Sequence, residues 1–292
     1  MKSRWLVNLL LLALVAGIGL FLHLRSKPAE QGAQTYILTT LALSDISRVS
    51  IESPAKAPVR FEKQQGRWRM TEPFQARANA AAVGRVISVA GADSRVRMPA
   101  ADLSRFGLDK PGLKVRLDEH EFSFGMYNPV GGDQFVAYKD AVYALPSTYG
   151  DGAATQPLEM LEKRLLDDDE QIAGFDFSGL EQWEGSRLQL DMQKDGKWKA
   201  SAAEAKISQA EVNEWFAASW TNLAANSVEP FTPDGQPHPY LTLRLKNGKT
   251  VRLIKMQESP ELLLVREDHK MQYRFPQDTG FEILNPPVGF KE

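Results

Sequence analysis

Gly66-Arg67-Trp68-Arg69 decides how this sequence is read, because it returns as Gly196-Lys197-Trp198-Lys199, 130 residues later. Two further markers follow it in the same order. Leu113-Lys114-Val115-Arg116-Leu117 returns as Leu241-Thr242-Leu243-Arg244-Leu245, 128 residues on, and Tyr143 and Pro146 return as Tyr273 and Pro276, both 130 on. Order and near-constant spacing together predict two tandem repeats, over residues 36–166 and 167–292. A duplicated chain carries its own control. A residue that performs chemistry in one copy can be checked against its partner in the other.

Working outward from the Trp hairpin, each copy reads as strand-rich. In the first, residues 45–51 alternate, 59–63 and 67–70 turn at Gln64-Gln65-Gly66, and 113–117 with 121–124 and 134–138 with 141–145 make two more hairpins. In the second, 188–193 pairs with 198–200 across an Asp195-Gly196 step, a strong hairpin signal. Residues 241–245 with 250–254, and 262–266 with 271–275, complete it. Each copy also holds an amphipathic helix. Asn79 caps an Ala-rich stretch to Ala92 carrying Val83, Val86, Ile87 and Ala90 at helical spacing. Ser208-Gln209-Ala210-Glu211 forms a capping box before Val212, Trp215, Phe216 and Leu223. A further helix is expected over 155–166, bridging the copies and ended by Asp167-Asp168-Asp169. The expected class is α+β, mostly antiparallel sheet.

The amino terminus points to a location. Trp5 to Leu22 reads WLVNLLLLALVAGIGLFL, with Lys2 and Arg4 before it and His23, Arg25 and Lys27 after it. A membrane-spanning helix needs about 20 mostly apolar residues, and Trp5 sits where an interfacial aromatic belongs. A cleaved signal peptide is the competing reading. Its best cleavage site, Val15-Ala16-Gly17, is followed by more apolar chain from Ile18 to Leu22. The reading adopted is a cytoplasmic tail at 1–4, an uncleaved anchor at 5–24 (Trp5, Leu9, Leu12, Val15, Ile18, Phe21 and Leu22 facing lipid) and a polar tether at 25–35. The short tail makes cytoplasmic-N the default orientation. That places the C-terminal bulk in the periplasm of a bacterium, on a single-pass inner-membrane anchor.

Composition excludes several classes. The net charge of −2 gives no basic excess for nucleic acid. With no cysteine, disulfide frameworks, thiolate metal sites and a lipoprotein signal are out. The remaining candidates mostly fail the comparison between copies. Asp118-Glu119-His120-Glu121 has metal-ligand chemistry, but it falls at a hairpin turn whose counterpart is Lys246-Asn247-Gly248. His238 lies between prolines and His269 in a charged turn, with no serine or aspartate at a nucleophile-elbow or zincin spacing. The glycines of 125–132 lack the following helix that a phosphate loop needs. Asp167-Asp168-Asp169-Glu170 lacks the alternating ligands of a calcium loop and reads as a solvated helix end. Trp68, Trp198, Trp215 and Trp220 fit core packing, which leaves Trp183 as the surface candidate.

One segment resembles a known family. A membrane anchor, Gly66-x-Trp68, Pro73 before an Ala-rich helix, and Phe106-Gly107-Leu108-Asp109-Lys110-Pro111 leading into a strand are similar to domain-of-unknown-function family 4340. These are bacterial membrane-anchored envelope proteins often encoded beside gliding-motility-type ABC transporters. The resemblance spans nearly the whole chain after the tether. It implies an anchored, envelope-facing protein with transporter subunits as partners, and it carries no catalytic motif and no cofactor. Trp68, Trp198 and the Phe106–Pro111 segment also have a plain structural reading: Gly107 permits a turn and Pro111 sets up an extended strand. The expected function is a non-catalytic interaction or scaffold module. The alternatives are a binding module for an envelope glycan or lipid in a groove between the copies, and a hydrolase gathering histidine and carboxylates there.

Overall fold

The structure, a computed structural model, describes residues 34–128, 131–202 and 204–290, together with Leu12, Leu14, Val15 and Ile18. Those four are helical and exposed. The rest of the 5–24 anchor, including Trp5, Leu9, Phe21 and Leu22, lies outside the described residues. Among the described residues no helix is long and apolar enough to cross a membrane.

The class is α+β, with antiparallel pairing throughout the two large sheets and a few short helices. The first sheet contains β1 (Arg48–Glu52), β2 (Val59–Gln64), β3 (Arg67–Glu72), β4 (Ala76–Arg77), β5 (Arg97–Pro99), β6 (Leu113–Leu117), β7 (His120–Tyr127), β8 (Asp133–Tyr138) and β9 (Ala141–Pro146). Its spatial order is β4-β3-β2-β1-β6-β7-β8-β9-β5. The second contains β10 (Ile172–Asp176), β11 (Gln189–Met192), β12 (Trp198–Ala200), β13 (Ser227–Pro230), β14 (Tyr240–Leu245), β15 (Thr250–Gln257), β16 (Leu262–Arg266) and β17 (Met271–Phe275). Its order is β12-β11-β10-β14-β15-β16-β17-β13. β4 aside, the two sheets visit their positions in the same sequence. Each even carries a bulge at the end of its long strand, after Phe124 in β7 and after Lys255 in β15.

The helices are α1 (Ala80–Ile87), α2 (Thr148–Ala153), α3 (Gln209–Ser219) and α4 (Gln277–Leu284). Asn79 caps α1 by accepting from the Ala82 N–H at 3.0 Å, and Ser208 caps α3 by accepting from the Glu211 N–H at 3.4 Å. α1 buries Ala82, Val83, Val86 and Ile87 and gives way to a 3₁₀ turn over Ser88–Gly91. α3 stops at Ser219, so Leu223 lies beyond it. Trp215 of α3 joins Phe175, Trp198, Phe216 and Trp220 in an aromatic cluster. Buried apolar side chains of both sheets belong to one continuous core.

The stretch between the sheets corrects the expectation of a helix over 155–166. Only Pro157–Met160 coils, as a 3₁₀ turn. Beyond it the chain is extended and hydrogen-bonded on both sides. Asn79 N–H donates to Met160 O and Glu162 N–H to Arg77 O on one side, while Leu165 N–H donates to Leu223 O and Ala225 N–H to Lys163 O on the other. Pro157 opens that turn at its first position, where proline is tolerated, so the helix is not stopped there. The unpaired flank of β4 and the strand-like chain before β13 each offer ladder partners that a helix would leave unsatisfied. The segment therefore splices the two sheets together.

Candidate functional site

The splice is fastened by the acidic run that follows it. Asp167, Asp168, Asp169 and Glu170 each hold a different arginine: Arg77, Arg164, Arg67 and Arg266 in turn. Two of those arginines come from the first sheet, one from the splice and one from the second sheet. Asp167 and Glu170, largely buried, make the run a clamp and correct its reading as a solvated helix end, while Asp168 and Asp169 are solvated as that reading expects. Arg266 is the most committed member, at 1% side-chain exposure. It donates to both Glu170 oxygens at 2.6 and 2.7 Å, to Leu165 O at 2.8 Å and to Asp268 at 3.0 Å. Burial works against its charge, but the bonds to Glu170 and Asp268 outweigh it and raise its pKa.

Arg77 crosses the junction in the other direction. It donates to Tyr273 Oη at 3.0 Å and to the Leu166 carbonyl at 3.1 Å, while its buried Nε–H has no partner among the described residues. Next to it His269 Nδ1 sits 3.4 Å from Tyr273 Oη. Burial, with Arg266 and Arg77 close by, pushes the His269 pKa down to about 4, so the ring is neutral at neutral pH. Burial likewise pushes the Tyr273 phenol up.

Above this clamp lies a groove of about 600 Å³ between the two sheets. Its walls are the β2–β3 turn with β3 and β4 on one side, and β17 with the turn before it on the other. The buried side chains Met70, Ala76, Leu161, Val228 and Met271 form its floor. Its rim carries Arg67, Arg69 and Lys270, and its walls carry Gln64, Gln65 and Gln75. Arg67 is held by Asp169 at 2.8 Å. The two carboxylates that line the groove, Glu162 and Asp268, are engaged by Arg164 and Arg266. Side chains of Arg69, Lys270, Gln64, Gln65 and Gln75 make no hydrogen bond or ion pair among the described residues. The result is a concave site with two uncommitted cations and three uncommitted amides.

The other candidates are placed apart from this groove. Asp118, at φ 48°, accepts from Ser47 N–H, Ser47 Oγ–H and Arg48 N–H, and Glu119 pairs with Arg48. That turn straps β1 to β6. His120 Nδ1 lies 2.6 Å from Tyr138 Oη, and His238 Nε2 lies 2.9 Å from Asp234. Among the described residues no group of three or more histidines and carboxylates is placed to hold a metal ion. Of the 125–132 loop, residues 129 and 130 lie outside the described residues.

Trp183 is half-buried rather than free: its Nε1–H donates to Leu284 O at 2.9 Å and its ring packs near Phe177 and Phe290. Phe106, Leu108 and Val142 form a small satellite core. Gly107, at φ 64°, ends a 3₁₀ turn there. Gly125 lies so close that a Cβ would fall 2.1 Å from the Phe106 carbonyl oxygen. Asp109, Lys110 and Pro111 lead from that turn into β6. Trp198 is buried, with its Nε1–H on Asn213, and Trp68 is half-buried under Lys63.

Residues 68–243 match the family Domain of unknown function (DUF4340). The chain belongs to it. The DUF4340 span opens at Trp68 and closes in β14. It therefore contains the Phe106–Pro111 segment, Trp198, Arg77, the splice and the acidic run, while Arg266, His269 and Tyr273 lie beyond it. No curated protein and no solved structure matches the chain. The groove and clamp escaped the sequence reading because their pairs are far apart in the chain, 90 residues for Arg77–Asp167 and 96 for Arg266–Glu170. The available signal was four consecutive acids in a chain rich in arginine.

Proposed function

We propose that this protein is a non-catalytic interaction module anchored in the bacterial inner membrane by residues 5–24, with its two sheets in the periplasm. In this reading the sheets are tandem repeats over 36–166 and 167–292, and the groove between them docks a protein of the membrane complex it serves. ABC transporter subunits are the partners that the family resemblance implies.

The observation that carries the reading is the groove itself. Cations and amides stand uncommitted over an apolar floor that both sheets supply, and the frame beneath is joined by the largely buried Arg266–Glu170 and Arg77–Asp167 pairs. Exposed cations and amides around a concave site suit recognition of a polar partner. They suit proton transfer poorly. A base with a pKa of about 4, as His269 has, is a weak acceptor at neutral pH.

The test is a brief crosslink of tagged full-length protein in native membranes, followed by mild-detergent pull-down and mass spectrometry. Wild type should enrich transporter subunits. The Arg69→Glu/Lys270→Glu variant, and a deletion of residues 1–27, should each lose most of that enrichment. Recovery of the bait alone at good yield would sink the proposal.

A further inference from the structure

We infer that the groove between the sheets takes an extended acidic peptide segment of a partner protein. This rests on the docking reading above and specifies what occupies the site.

Charge is the first argument. With Glu162 and Asp268 already engaged, neither Arg69 nor Lys270 makes an ion pair among the described residues, although Glu62 lies opposite Arg69 in the β2–β3 ladder, so an anionic ligand completes the rim at little desolvation cost to the protein. The amides are the second. Gln64, Gln65 and Gln75 each offer one carbonyl acceptor and an NH₂ donor, the complement of a peptide backbone's N–H and C=O. The floor is the third. Met70 and Met271 close the groove from below and are almost fully buried, so the apolar contact open to a ligand comes from the aliphatic stems of the rim side chains, and an extended peptide points alternate side chains in opposite directions. Carboxylates turned to Arg69 and Lys270, with apolar side chains turned the other way onto those stems, satisfy both at once. An anionic glycan fits less well. Sugars bind by stacking their C–H faces on exposed aromatic rings, and the aromatic residue of the lining, Tyr273, is buried with its hydroxyl on Arg77.

The experiment is fluorescence anisotropy of full-length protein in detergent with a labelled hexapeptide of alternating glutamate and leucine. Glutamine replaces glutamate in the control peptide. The glutamate peptide should bind, weaken as salt rises, and bind about tenfold more weakly to Arg69→Glu/Lys270→Glu than to wild type. Lys56→Glu, on the β1–β2 turn at the far end of the hairpin, should bind like wild type. Circular dichroism of each variant checks that it folds. Equal binding of the glutamine peptide, or unchanged binding by the double variant, overturns the proposal. So does binding of a uronic-acid oligosaccharide to wild type when the peptide fails. If the peptide fails while the groove variant still loses its crosslinked partner, the occupant is wrong and the docking site stands. Loss of neither removes both.

Discussion

The two sheets share a strand order but solve the end of one hairpin differently, and the second sheet's version lines the groove. In the first sheet Tyr138 ends β8 opposite Ala141. In the second Arg266 ends β16 opposite Met271. Tyr138 keeps its hydroxyl local, on His120 of the neighbouring strand. Arg266 reaches out of its sheet to the splice and to Glu170. One sheet is therefore self-contained at this corner, while the other is committed to its neighbour. The turn that follows differs accordingly: two residues after Tyr138, and a 3₁₀ turn over Glu267–His269 after Arg266, which brings His269 and Lys270 to the groove.

Breaking the committed corner gives the largest expected effect. Arg266→Ala strips Glu170, Asp268 and the Leu165 carbonyl of a buried donor. It should cost near the upper end of the about 3–5 kcal/mol seen when one partner of a buried pair is removed. Tyr138→Phe at the matching corner should cost only about 1 kcal/mol, the worth of one hydrogen bond. Urea denaturation of both variants measures the contrast, and equal costs would mean that Arg266 does not hold the junction.

The two tryptophans that first revealed the pattern sharpen the comparison. Trp198 is 3% exposed, in a cluster with Phe175 and Phe216. Trp68 is half-buried beneath Lys63 at 5.8 Å. Trp198→Ala should cost about 4 kcal/mol and Trp68→Ala about half of that, because the cost scales with the buried volume left empty. Near-UV circular dichroism with thermal melts would show whether the ranking reverses.

Acid should act on the second sheet's side of the junction. His269 has a folded pKa of about 4 against an ordinary 6.5. Between those values the unfolded chain binds more protons, so stability is full above about 6.5 and falls with pH towards about 4, by roughly 3 kcal/mol in all. Melts from pH 7 to 4.5 should show this slope in wild type and a flatter one in His269→Gln. An identical slope in both would assign the acid sensitivity to other groups.

The hairpins were legible because each signals itself within a dozen residues: alternation, then Gly66, Gly196 or Gly248 at positive φ in the turn. The caps at Asn79 and Ser208 were legible for the same reason. The short edge strands β4 and β5 were not, since two or three residues carry no readable period. The splice was misread because residues 155–166 take their conformation from partners at 77–79 and 223–225. The site was hidden for a related reason. Its acids were visible as a run, but an arginine gives no local hint of which carboxylate it will meet.

The bond from Arg77 to Tyr273 spans 196 residues. A chain that emerges amino terminus first can pair β1 to β4 early and add the splice next, yet the bond from Arg77 to Tyr273 waits for β17. Completion of the groove therefore waits on the second sheet, and a molecule truncated before β17 would display no finished site.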